Sequence, residues 1–121
     1  MSEFRVLDLK SIVDSRGTLT VMQDALPFEV RRVFWVANAD GQLRGNHRHH
    51  VTRQGLVAVA GSIEIYVNDG KQEERVRLNE PSRCLLVEPE DWHSMRFGAG
   101  SILLVFASHH YDSLDYITEK Y

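Results

Sequence analysis

A single cysteine, Cys84, excludes an internal disulfide framework. It lies in the apolar run "CLLV" (84–87), where a buried thiol is the simplest reading. No apolar stretch reaches the roughly 20 residues that a membrane-spanning helix needs, so no membrane span is expected. The opening "MSEFRVLDLK" lacks a basic region ahead of an apolar run. No signal peptide is therefore expected, and the cytoplasm is the expected compartment. Charge is nearly balanced, with 14 Lys and Arg against 17 Asp and Glu. No block of one sign occurs, which argues against nucleic acid as the main partner. A long helical period, an internal repeat and a low-complexity segment are also missing.

What remains is ordinary globular material: 121 residues, 43% hydrophobic and 26% charged, enough for one domain spanning 1–121 whose core needs no staples. Short β-type segments dominate. "FRVLDL" (4–9) alternates apolar and polar residues, "SRG" (15–17) reads as a turn, and "TLTVMQD" (18–24) follows as a strand. "VRRVFWVAN" (30–38) is rich in Val and aromatics. "ADGQLRG" reads as a loop. Gly61 and Asn68-Asp69-Gly70 mark tight turns between alternating runs. "SRCLLVEP", "WHSMRF" and "SILLVFAS" (101–108) complete the strands, and the tail "YDSLDYITEKY" has room for one short helical turn. Many short strands punctuated by Gly and Pro indicate an all-β sandwich or barrel, whose mouth can hold a ligand.

Three histidines fall within four positions of "RGNHRHH" (44–50). On an extended chain His47 and His49 share one face, while Arg48 and His50 face away. Either the pair faces a barrel interior or it decorates an exposed edge. With Gln54, Gly61, Pro89 and His93 the pattern resembles the cupin signature, a double-stranded β-helix or jelly roll. Metal-binding cupins place Glu where this chain has Gln54, and a neutral amide lacks the carboxylate's charge. Three histidines are still able to hold Zn²⁺ or Fe²⁺. No metal is the preferred reading. Neutral imidazoles accept and return protons near neutral pH, and two close together disfavour double protonation. That equipment suits proton abstraction beside a carbonyl.

Six stretches narrow the resemblance: "DSRGTLTVMQ", "PFEVRRVFWV", "RGNHRHH", "GSIEIYVNDG", "EPEDWHSM" and "ILLVFASHHYDSLDYI". Together they resemble the WxcM-like cupins, the dTDP-4-oxo-6-deoxyglucose 3,4-ketoisomerase family. The resemblance implies a small cupin fold, a homodimer with shared or exchanged N-terminal strands, and no cofactor. It implies isomerisation of a dTDP-linked 4-keto-6-deoxyhexose to its 3-keto isomer, feeding deoxyamino-sugar biosynthesis.

Position by position, it implies His49 as the base at C3 of the sugar and His47 as the partner serving the oxygens or C4, with the two roles exchangeable. Arg44 is an implied contact of the enediolate oxygen or the diphosphate, and Arg16 of the diphosphate; each also reads as an ordinary loop or turn arginine. Trp35 stands where the family carries an aromatic in a "RVYY"-like strand and is expected as a wall or stacking surface, unless Phe34 is the one that points inward. Gln54 is expected to bond a histidine or a sugar hydroxyl, and His93 to line the same cavity or to hold the second motif's turn. Asn46 replaces a bulkier residue and is expected to alter substrate fit. A metal-dependent cupin using His47, His49 and His93, and a non-catalytic nucleotide-sugar binder, are the alternatives.

Overall fold

Strand alternation organises the chain. In the computed structural model, which describes residues 4–121, Ile63, Ile65 and Val67 of one strand and Leu103, Val105 and Ala107 of another all point into the core. Their neighbours are only partly buried. The elements in chain order are β1 (Arg5–Asp8), β2 (Lys10–Asp14), β3 (Gly17–Val21), β4 (Arg32–Val36), β5 (Leu43–His49), β6 (Gln54–Ala60), β7 (Ile63–Asn68), β8 (Glu73–Leu78), β9 (Arg83–Val87), β10 (Trp92–Phe97) and β11 (Ile102–Ala107), then a 3-10 turn (Ser113–Asp115) and β12 (Tyr116–Ile117). Among the described residues no helix is long and apolar enough to cross a membrane.

Ten strands form two five-stranded antiparallel sheets, ordered β1-β9-β6-β11-β4 and β12-β5-β10-β7-β8. They face one another as a jelly roll over a core that includes Phe97, Leu56, Leu85 and Ile65. β6 is buried on both faces, as its unbroken apolar run requires. Its Leu56 and Ala58 enter the inter-sheet core, whereas Val57 joins Cys84 and Leu9 in a second cluster outside the first sheet. Cys84 is thus a buried apolar filler; burial pushes its thiol up to about 12.

Two local features depart from simple alternation. β2 and β3 form a separate hairpin, and β2 is exposed along its whole length. Its lack of an inward face is why it does not stand out from the sequence. The second departure lies in β5. Leu43–Gly45, which read as loop, belong to the strand, and a bulge interrupts the pairing of β5 with β10 between Ser94 opposite Gly45 and His93 opposite His47. Gly45 (φ 88°) and the intervening Asn46 (φ 62°) both adopt the left-handed conformation. A Cβ at Gly45 would meet the His93 carbonyl oxygen at 2.9 Å. The extra residue resets the alternation, so that Arg44 and His47, three apart, line the same interior.

Gly61 makes the β6–β7 turn at φ 73°, as its sequence context predicts. A Cβ there would lie 2.7 Å from Ser101 Cα, and the Ser101 hydroxyl bridges both the N–H and the carbonyl of Ser62. Gly61→Ala is expected to cost about 2–3 kcal/mol from left-handed strain and this clash. Urea unfolding checks it; an unchanged midpoint would contradict this packing.

Candidate active site

Between the sheets, near the edges formed by β4 and by β12 beside β5, lies a cavity of about 460 Å³. Phe34 and Val36 close one side, Leu56 and Leu103 floor it, and Arg44, His47, Gln54 and His93 supply polar groups. β5 and β10 place His47 directly opposite His93, with ring centroids 5.1 Å apart. His49 lies 5.0 Å from His47 and 5.9 Å from His93, nearly parallel to the latter. The strand period of two thus delivers the pair to one interior, and the second motif adds the third ring.

Hydrogen bonds orient two of the three. His47 Nδ1 donates to the Gly45 carbonyl at 3.1 Å, and His93 Nδ1 donates to the Asp91 carbonyl at 2.9 Å. In a neutral ring each such bond leaves Nε2 as the proton acceptor. His49 is buried, and among the described residues neither ring nitrogen has a hydrogen-bond partner. Burial lowers all three imidazoles from their ordinary 6.5: His47 falls despite the Gly45 bond, His49 to about 4 and His93 to about 3. Mutual repulsion with His47 lowers His49 and His93 further, as does Arg32 for His49. The site therefore holds uncharged bases at neutral pH. Among the described residues no three His, Cys, Asp or Glu side chains meet in a metal-holding group.

The C-terminal segment completes the site. Tyr116 pairs with His49 in register, and its ring sits 4.8 Å from both His47 and His49. Asp115 fixes the turn that follows the histidines: Oδ1 accepts the His50 and Val51 N–H groups at 3.0 and 2.8 Å, and Oδ2 accepts the Thr52 hydroxyl. Burial alone would raise this carboxyl. The Thr52 hydroxyl, the Val51 N–H, the His49 ring and the His50 N–H together hold it below its ordinary value. The His49 N–H donates to the Pro89 carbonyl at 2.8 Å, tying the two histidine motifs together.

A family model for WxcM-like, C-terminal domains (FdtA) matches residues 2–121. The chain belongs to this family. It is 35% identical to a TDP-4-oxo-6-deoxy-alpha-D-glucose-3,4-oxoisomerase from Aneurinibacillus thermoaerophilus, covering 97% of this chain and 87% of the relative. The 3,4-ketoisomerase QdtA from Thermoanaerobacterium thermosaccharolyticum, crystallised as a His-to-Asn variant with TDP-4-keto-6-deoxyglucose, superposes with a TM-score of 0.93 at 32% identity. That match covers 98% of this chain and 89% of QdtA. The TDP-quinovose 3,4-ketoisomerase WlaRB from Campylobacter jejuni gives a TM-score of 0.93 at 36% identity, covering 98% and 95%.

In this WxcM-like chain five of the seven residues singled out from sequence come together. Arg44, His47, Gln54 and His93 line the cavity, and His49 lies behind His47. Two do not join them. Trp35 is 68% exposed on the outer face of β4; strand alternation turns Phe34 inward instead, which corrects the expectation of a Trp35 wall. Arg16 sits at the β2–β3 turn, its side chain 88% exposed and bonded to Asp14 at 2.8 Å, away from the cavity of its own chain. Asn46 faces the outer side of the second sheet, along with Ser94 and Arg96, so it does not shape the interior. Sequence reasoning passed over Asp115 and Tyr116, although "Asp-Tyr-Ile" was among the motifs. It also passed over Arg32, which packs on the Phe34 and Tyr111 rings with Nε buried and without a hydrogen-bond partner among the described residues.

The shifted imidazoles set a pH dependence. Between about 6.5 and 4 the unfolded chain binds protons that the folded protein refuses, so stability falls as pH drops through that window. Asp115 adds its own loss at lower pH, as its carboxylate is protonated. The urea midpoint is expected to fall from pH 7 to pH 4.5, and less steeply in His49→Gln. A midpoint constant over that range would contradict the buried, neutral cluster.

Proposed function

We propose that this protein, working as one cupin domain over residues 1–121, converts a TDP-linked 4-keto-6-deoxyhexose to its 3-keto isomer by proton transfer among its own side chains. The observation that carries the reading is the convergence of three uncharged rings, His47 and His93 lining one cavity and His49 packed against both, in a chain of the ketoisomerase family. The cavity volume lies within the usual range of about 300–1,000 Å³ for ligand sites.

In this reading His49 takes the proton from C3. Burial, with the charges of His47 and Arg32 adding to it, favours an unprotonated base. The electron pair left at C3 forms the C3–C4 double bond, and negative charge develops on the C4 oxygen. The proton passes within the imidazole pair, and His47 returns it to C4. Arg44, at the cavity wall, supplies a fixed positive charge to the enediolate or the diphosphate. Gln54 supplies a neutral amide near the imidazoles, suited to a sugar hydroxyl, which supports chemistry without a metal ion. Trp35 and Arg16 have no role within a single chain's cavity. Arg16 is available only to a site shared with a second copy. The hairpin that carries it exposes Ile12, Val13 and Leu19, which supports a homodimer. Use of a nucleotide-activated sugar supports action in the cytoplasm.

Incubation with TDP-4-keto-6-deoxyglucose in heavy water, followed by NMR, tests this directly. The expected result is the 3-keto product with deuterium at the exchanging carbon, unchanged after EDTA treatment. His49→Gln is expected to lower kcat by about 10²–10⁴-fold while TDP still binds. Tight TDP binding with no exchange would make the protein a binder only, and loss of activity with chelator would require a metal-dependent mechanism.

A further inference from the structure

Moving the ketone from C4 to C3 involves two carbons and two oxygens. A base must take the C3 proton and an acid must protonate C4, but the hydroxyl proton on O3 must also leave and O4 must gain one. The histidine pair accounts for the carbon protons. Resting on the ketoisomerase reading, the oxygen protons still need a carrier, and that carrier must reach the cavity beside both imidazoles.

We propose that the Tyr116 phenol is that carrier. Tyr116 is half-buried, lines the cavity and contacts His47 and His49 with its ring. Its register opposite His49 on β5 fixes it there, and the bonds of the adjacent Asp115 to the His50–Thr52 turn secure that register. The phenol oxygen makes no hydrogen bond among the described residues, so no protein group occupies it. The other tyrosine at the cavity, Tyr111, is 68% exposed and stands outside Tyr116, at 5.9 Å between ring centroids. It lacks the enclosure that would keep bulk water from replacing it. The step balances. His49 first takes the C3 proton to leave the enolate; the phenol then gives its proton to O4, and the resulting phenolate takes the proton from O3. The C3=O bond then forms as C4 is protonated, and Tyr116 ends as it began.

Tyr116→Phe keeps the ring against both imidazoles and removes only the hydroxyl. The test compares wild type and variant for product formation and for deuterium uptake at C3 from heavy water, with thermal midpoints as a fold control. The expected result is a kcat about 10²-fold lower, a KM within a factor of three, and a ratio of C3 exchange to product formation at least tenfold above wild type. A purely structural tyrosine would depress exchange and turnover together. Turnover within twofold of wild type, or a parallel loss of both rates, overturns the proposal. A wild type that neither exchanges nor isomerises instead overturns the ketoisomerase reading, and this step with it.

Discussion

Three imidazoles kept uncharged inside a β-walled cup are the constraint on which the rest of this structure turns. Burial alone would make each ring costly if protonated, and each ring's charge would repel the others. The fold resolves this by holding the rings neutral and by fixing two tautomers through the Gly45 and Asp91 carbonyls. His49 is left with two buried nitrogens that make no hydrogen bond among the described residues.

Several otherwise unrelated features serve that cluster. The Gly45–Asn46 bulge turns Arg44 into the same interior as His47. The Pro89 carbonyl ties β5 to the second histidine motif. The Asp115 carboxylate gathers the backbone just after His49 and sets Tyr116 against both rings. The C-terminal segment is therefore part of the site and not a trailing end. The apolar floor of Leu56 and Leu103 keeps the low-dielectric surroundings that hold the imidazoles neutral and strengthen a fixed charge such as Arg44.

Much of this was legible in the chain because a strand's period of two is unambiguous. "HRH" can only put His47 and His49 on one face, and the Gly61 and Asn68-Asp69-Gly70 turns followed from residues that tolerate positive φ. The family resemblance added Arg44, Gln54 and His93. What stayed hidden depends on phase or distance. Which of Phe34 and Trp35 points inward is a one-residue choice, and both are plausible wall residues. Arg16 shares a motif with the family, but the hairpin bearing it stands apart from both sheets. The bulge cannot be seen by alternation, since it breaks alternation. Tyr116 lies 67 positions from His49 in sequence, and only sheet closure brings them together.

Ring-nitrogen NMR of the free protein, titrated from pH 8 to pH 3 with the histidine resonances assigned, tests the central claim most directly. His49 and His93 are expected to remain neutral through pH 5, with protonation only near pH 4 and below. Midpoints near 6.5 for both would mean the rings are solvated rather than enclosed, and would contradict the account.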